Sequence, residues 1–202
     1  QWLVGTGGFA LFLHHPYGSF DLTGDEGRFD PGGPDKAPPF DVFVVASREG
    51  TEIMAEYALL TGKPEPPPLW SFGLWMSRCT YNAEKQVRDI AAKLRENKIP
   101  CDVLHLDTGW FETDWRCDYK FSTSRFTDPA KMISDLKRDG FHISLWQLPY
   151  FVPKNTLFNE LLEKNLVVRD AKGNLPYEDA VLDFSNPAAV AWYQDKLGNL
   201  LK

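Results

Sequence analysis

The sequence predicts an α/β protein: about three βα units from the start of a (β/α)₈ barrel, preceded by part of an antiparallel β-sandwich. Three observations carry this expectation. Strand and helix patterns alternate regularly from about residue 69 onward, as parallel sheets with helical crossovers require. The stiff segment Pro64-Glu65-Pro66-Pro67-Pro68 separates that region from a Gly-, Phe- and Pro-rich one, so the expected domains are 1–63 and 64–202. The strands of the second region carry their polar and aromatic side chains on one parity, toward their C-terminal ends. A barrel of about 250 residues spends roughly 31 per unit, so the chain holds only the first part of one.

In chain order, Gln1-Trp2-Leu3-Val4-Gly5 reads as the middle of a strand, and Gly5-Thr6-Gly7-Gly8 as a hairpin turn. Strands are expected at Phe9–His14 and at residues 40–46, with turns at Thr23-Gly24-Asp25-Glu26-Gly27 and Pro31-Gly32-Gly33-Pro34. Residues 51–60 read as a helix that Gly62 stops as a left-handed cap. After the linker, residues 70–76 form an apolar strand. Asn82 caps a helix with Val87, Ile90, Ala91 and Leu94 on one face. Residues 101–107 are the second strand, and Asp128-Pro129 opens a helix that buries Met132, Ile133 and Leu136 and ends at Gly140. Residues 141–149 are the third strand and 156–165 a short helix. Gly173-Asn174 turns a small hairpin, and Asn186-Pro187 opens a last helix through Val190, Tyr193, Leu197 and Leu200. A doubly wound sheet would begin the same way, but no G-x-G-x-x-G follows the first strand.

Composition narrows the function. With 22 Lys+Arg against 28 Asp+Glu the net charge is −6, which lacks the basic footprint of a nucleic-acid binder. No apolar run approaches the ~18–20 residues that span a bilayer. Cys79, Cys101 and Cys117 are odd in number and form no C-x-x-C, so neither a disulfide framework nor a zinc site is expected. The first residue is not Met and the last helix has no stop signal, which reads as a piece of a longer protein. The compartment stays open, with the cytoplasm the default.

The chemistry concentrates in Leu104-His105-Leu106-Asp107-Thr108-Gly109-Trp110 and Trp115-Arg116-Cys117-Asp118-Tyr119. Asp107 ends a buried strand, where a carboxylate faces the functional rim and accepts hydrogen bonds from ligand hydroxyls. Trp110 and Trp115 offer flat faces to a sugar ring, and Trp146 ends the third strand at the same rim. Val103, His105 and Asp107 share one parity with His142, Ser144 and Trp146. Leu104, Leu106, Phe141, Ile143 and Leu145 form the helix-facing parity. His105 and His142 read as interior histidines, and Asp183 as a residue that orients its loop and caps the last helix. The competing reading is that Asp107 caps local backbone amides and that Trp110 and Trp115 are simply packed.

Pro67-Pro68-Leu69-Trp70-Ser71-Phe72-Gly73-Leu74-Trp75, His105-Leu106-Asp107, Trp115-Arg116-Cys117-Asp118, Leu145-Trp146-x-x-Pro149-Tyr150 and Asp183-Phe184-Ser185-Asn186-Pro187 together resemble glycoside hydrolase family 31. The resemblance implies a β-sandwich before a (β/α)₈ barrel, and retaining cleavage of an α-linked xyloside or glucoside by an aspartate nucleophile and an aspartate acid/base. It implies that Asp107 binds sugar hydroxyls and that Trp146 walls the same subsite; Trp110 and Trp115 are substrate-contact candidates by their position beside Asp107. The family nucleophile lies in a Lys-x-Asp motif on the fourth strand, and the three strands read here carry none, so no catalytic residue is assigned. Trp115-x-Cys117-Asp118-Tyr119 leans toward the α-xylosidase branch, whereas Thr108-Gly109 stands where that branch often has Cys-Phe. No metal or cofactor is expected. The expected partner is an oligosaccharide, with no nucleic acid and no membrane, and homo-oligomerisation of the full-length protein is left open. The alternative from another class is a non-catalytic carbohydrate-binding or scaffold module.

Overall fold

The computed structural model describes residues 1–32, 39–113 and 115–201. The chain divides into two compact units, Gln1–Pro66 and Pro67–Lys202. Among the described residues no helix is long and apolar enough to cross a membrane.

In the first unit, β1 (Trp2–Gly5), β2 (Phe9–His14), β3 (Ser19–Asp21), β4 (Arg28–Asp30) and β5 (Asp41–Ala46) precede helix α1 (Gly50–Thr61). The strands β1-β2-β5 form one antiparallel sheet and β3-β4 a separate hairpin. Gly5 pairs with Phe9, so the glycine run is indeed the β1–β2 turn, with Gly8 at φ +85° where an L side chain is strained. Trp2, Phe12 and Phe43 share one face, and α1 covers it: Tyr57 stacks on Trp2 at 4.3 Å and meets Phe12 edge-on at 5.4 Å. The opposite face leaves Val42 and Val44 more than half exposed. Gly62 does stop α1, its N–H on the Ala58 carbonyl, but at φ 102°, ψ 147°, which is outside the left-handed helical basin. The turn expected at Pro31–Pro34 falls partly outside the described residues.

The second unit contains β6 (Trp75–Arg78), α2 (Glu84–Glu96), β7 (Val103–Leu106), α3 (Pro129–Arg138), β8 (His142–Leu145), β9 (Tyr150–Phe151), α4 (Phe158–Glu163), β10 (Ala180–Val181) and α5 (Pro187–Leu200). β6, β7 and β8 run parallel in that order, with α2 and α3 as the crossovers. This is the opening of a (β/α)₈ barrel preceded by a sheet region. Leu104 and Leu106 are buried with Val87, Ala91 and Leu94 of α2 and with Met132 and Leu136 of α3, so the helix-facing parity is as read from the alternation. On the other parity the His105 Nδ1 lies 2.9 Å from the Ser144 hydroxyl. His142 is exposed on this face, its ring stacked on Trp70 at 3.8 Å, rather than interior as expected.

Two further expectations need correction. The first strand does not start at residue 70: Leu69–Phe72 form a 3₁₀ turn, in which the Ser71 N–H and hydroxyl both bond the Pro68 carbonyl, and the strand begins at Trp75. The cap of α2 is not Asn82. Ala83 holds that position without a side-chain bond, because the orphan donors are met elsewhere. The Gln86 amide oxygen accepts from the Asn82 N–H at 2.8 Å, and the Arg125 carbonyl, 41 residues downstream of the helix start, accepts from the Glu84 N–H at 2.9 Å.

The other two helix starts follow their sequence signals. Asp128 accepts from the Lys131 N–H at 2.9 Å and Asn186 from the Ala188 N–H at 2.9 Å, each with Pro at the first helical position. Asp183 does not itself cap α5; its Oδ1 binds the Ser185 N–H and hydroxyl and shapes the turn ahead of Asn186. Gly173-Asn174 sits in a tight turn held by Asp170, within a wider loop that the Val167–Leu182 bridge closes. β10 pairs with β9 rather than across that turn.

A charge network ties α2 to α3. Arg88 bonds Glu84 at 2.8 Å and Asp135 at 3.0 Å, and Asp135 also takes Lys131 at 2.7 Å and Arg138. These donors, Lys131 first, hold the Asp135 carboxyl down at about 2 against an ordinary 3.8. A depressed folded value means stability present above the unfolded value and lost as pH falls through the folded one. Asp135→Asn should therefore lower Tm at neutral pH, with the gap to the parent shrinking below about pH 4 and closing near pH 2. A gap independent of pH would show that the carboxylate's charge is not what joins the helices.

Candidate active-site rim

The rim is built where the three parallel strands end. Asp107 follows the last residue of β7, and its Oδ1 accepts from the Thr108 N–H at 2.7 Å, capping the 3₁₀ turn Thr108–Trp110. The capping role is thus present, and it uses one oxygen, leaving Oδ2 without a partner among the described residues. Asp107 is half-buried in a site otherwise enclosed by Thr108, Gly109 and Trp110, all essentially inaccessible. Trp146 continues the ladder one step past β8, its N–H on the Leu106 carbonyl at 2.8 Å, which sets it level with Asp107.

Trp115 meets Trp146 edge-on at 5.4 Å and is 58% exposed, so it presents a broad indole surface beside the strand ends. Its φ of 62° turns the chain sharply there, and Tyr119 repeats this at 59°. The Trp110 expectation is corrected: at 0% exposure it has no face to offer a ligand, and any further chain can only bury it more. Its indole N–H instead donates to the Trp146 carbonyl at 2.9 Å. Trp110 positions Trp146; the reason is that a buried indole must satisfy its N–H, and the adjacent strand end supplies the acceptor.

A second polar layer joins residues that follow the strand ends. Asn155 donates to the Cys117 carbonyl at 2.9 Å, the Tyr119 hydroxyl to the Leu148 carbonyl at 2.8 Å, and the Tyr193 hydroxyl bonds the Gln147 amide oxygen. Burial pushes the Cys117 thiol, the Asp118 carboxyl and the Tyr119 phenol all upward, which keeps this layer in its uncharged forms more readily than in water. It supports the loop, and among the described residues no second carboxylate is hydrogen-bonded to Asp107. The chain's Lys-x-Asp triplet, Lys137-Arg138-Asp139, closes helix α3 and lies on no strand.

Thr80, at the end of the first strand, was not singled out by sequence, yet its hydroxyl is 3.1 Å from that of Thr108. The signal was available: Cys79-Thr80-Tyr81 follows β6 as Asp107-Thr108 follows β7. Gly109 fits beneath this pair because it lacks a side chain; a Cβ there would sit 2.7 Å from both the Thr80 hydroxyl and the Tyr81 carbonyl.

Residues 64–202 match the Glycosyl hydrolases family 31 TIM-barrel domain. The chain belongs to that family. An alpha-xylosidase of Lactiplantibacillus pentosus, XylQ, is 34% identical over 167 residues, which is 79% of this chain and 22% of that protein. An alpha-xylosidase of Emericella nidulans is 29% identical over 207 residues, 98% of this chain and 26% of its own length. A Flavobacterium johnsoniae GH31 dextranase solved in complex with glucose superposes with a TM-score of 0.83 at 27% identity, covering 97% of this chain and 25% of that one. The chain therefore spans about a quarter of the length of these relatives.

Gly109→Ala should destabilise the protein by about 1–3 kcal/mol in denaturant unfolding, since the new methyl meets backbone that cannot swing away. A loss below about 0.5 kcal/mol would mean that the β6–α2 and β7–α3 loops are not locked together at this point.

Proposed function

We propose that the full-length protein is a retaining α-glycoside hydrolase acting on α-linked xylosides or glucosides of oligosaccharides. In this reading the present chain supplies the sugar-binding side of the active site. The observation that carries the reading is the Asp107 carboxylate at the end of β7, one oxygen spent on its own loop and the other without a partner among the described residues, level with Trp146. Such a group accepts charge-assisted bonds from sugar hydroxyls, which are about twice as strong as neutral ones. Trp146 and Trp115 supply apolar faces for the C–H side of a pyranose. Family membership supports the chemistry, and the named relatives support both glycones: two are alpha-xylosidases, and the dextranase was solved in complex with glucose.

Retaining hydrolysis needs two carboxyls about 5 Å apart. Asp107 is not placed as either: it is committed to a backbone amide, and no second described carboxylate is bonded to the rim beside it. The nucleophile and the acid/base are proposed to come from sequence outside these residues. The division proposed at 63/64, sheet region before and barrel after, leaves the whole rim on the barrel side.

The test is a kinetic one. The full-length protein should turn over aryl α-xyloside or aryl α-glucoside, and the isolated 202-residue chain neither. Asp107→Ala should cut kcat/KM on the order of a hundredfold at matched folding, the loss of a charge-assisted bond plus a sugar hydroxyl left unpaired. A change under about threefold would reduce Asp107 to a loop cap. Inactivity of the full-length protein on both glycosides, with retained sugar binding, would favour the carbohydrate-binding module.

Trp146→Phe should lower activity while leaving Tm nearly unchanged. The smaller ring keeps the edge contacts to Phe111 and Trp115, and the backbone carbonyl that receives Trp110 is untouched. Equal losses in activity and stability would place Trp146 in the packing layer instead.

A further inference from the structure

We propose that Arg125 is a positioning residue of the sugar-binding rim: its guanidinium holds the neck of the β7–α3 loop closed, so that Asp107 and Trp115 keep their places beside Trp146. The proposal rests on the glycosidase reading above and adds to it a residue that touches no substrate.

The loop leaves β7 at Asp107 and ends at the Asp128 cap of α3. Among the described residues its two limbs share one backbone bridge, Phe111 with Phe121, beside the ring contact of Trp110 with Phe121. Among the described residues the carbonyls of Gly109, Phe111 and Glu112 on the first limb receive no backbone N–H. Arg125 gathers them: Nη1 donates to the Gly109 carbonyl at 2.8 Å, and Nη2 to the carbonyls of Phe111 and, at 3.3 Å, Glu112. Its Nε reaches the Ser122 hydroxyl on the second limb at 3.2 Å. Ser122 is fully buried, and its N–H donates to the Trp110 carbonyl at 2.9 Å. One planar fork therefore joins both limbs.

Three features argue that this is the use of the residue. No carboxylate pairs with Arg125 among the described residues, so its charge is spent on carbonyl and hydroxyl oxygens alone. The arrangement needs several donors in one plane, which a guanidinium has and an ammonium lacks. The gathered carbonyls flank Trp110, whose indole N–H holds the Trp146 carbonyl, so the clamp reaches the rim through one buried residue. Arg125 is anchored in turn, because its own carbonyl accepts the first N–H of α2.

The experiment uses the full-length protein with aryl α-xyloside and aryl α-glucoside as probes. Arg125→Gln and Arg125→Lys are compared with the parent, in the parent and in the Asp107→Ala background, together with amide hydrogen exchange across residues 108–122. The expected result is a loss of about tenfold or more in kcat/KM for both variants in the parent background, and less than about threefold where Asp107 is already absent. Exchange should speed up in the loop and stay unchanged in α2 and α3. Equal losses in both backgrounds, unchanged kinetics at matched folding, or unchanged loop exchange would each overturn the proposal. If Arg125→Gln fails to fold, Arg125→Lys and Ser122→Ala, which removes only the Nε acceptor, carry the same comparison. A parent inactive on both glycosides would count against the glycosidase reading, and the exchange rates would then decide whether Arg125 closes the neck.

Discussion

The burial of Leu104 and Leu106 is the constraint on which the rest of the second unit depends. Both are essentially inaccessible, enclosed by α2 on one side and α3 on the other. Side chains alternate along a strand, so fixing these two inward toward the helices forces His105 and Asp107 to the opposite parity. A slip of one residue would bury a histidine and a carboxylate under two apolar helix faces, at a cost of several kcal/mol for each unpaired polar group. The position of the candidate site is thus set by packing on the far side of the sheet. The parallel register carries the same assignment to β8, where Ser144 meets His105 and Trp146 falls level with Asp107.

What packing cannot do is hold the loops. A strand end in a parallel sheet releases backbone groups that no ladder will satisfy, and in this rim they are met by side chains from a distance. Trp110 serves the Trp146 carbonyl, Arg125 the carbonyls of the first limb, and Tyr119 the Leu148 carbonyl. Each such bond contributes about 0.5–1.5 kcal/mol net, but leaving a buried carbonyl unmet costs more, so the layer is built to be complete. The result is a rim in which most polar side chains serve the backbone rather than solvent. That is the economy expected where binding geometry must survive contact with water.

This division also explains what could be read from the sequence. Caps and periodicity are local: Asp128-Pro129 and Asn186-Pro187 announce α3 and α5 within four residues, and Val87, Ala91 and Leu94 mark the inner face of α2 by spacing alone. The parity of β7 is local too, and with it Asp107. The errors occurred where the partner is remote. Asn82 looked like a cap because the Arg125 carbonyl, which meets the Glu84 N–H, cannot be seen from Asn82. Trp110 looked like a ligand-facing aromatic because nothing near it announces that it will be fully buried. Residue 70 looked like a strand start because its apolar neighbours obscure the bonds that Ser71 makes to Pro68.

The two tryptophans of the β7–α3 loop show how little separates support from site. Trp110 and Trp115 are five residues apart and both lie close to Trp146. The first sits inside the 3₁₀ turn that Asp107 caps, and a turn anchored at a buried strand end directs its third residue back under the sheet edge. The second follows the neck that Arg125 closes, past the point where carbonyls need protein partners, and a left-handed φ turns it out beside the strand ends. Composition gives both the same stacking surface, and burial decides which one keeps an open face. Trp110 is closed off because its ring is buried where its indole N–H holds Trp146, whereas Trp115 keeps more than half of its surface exposed.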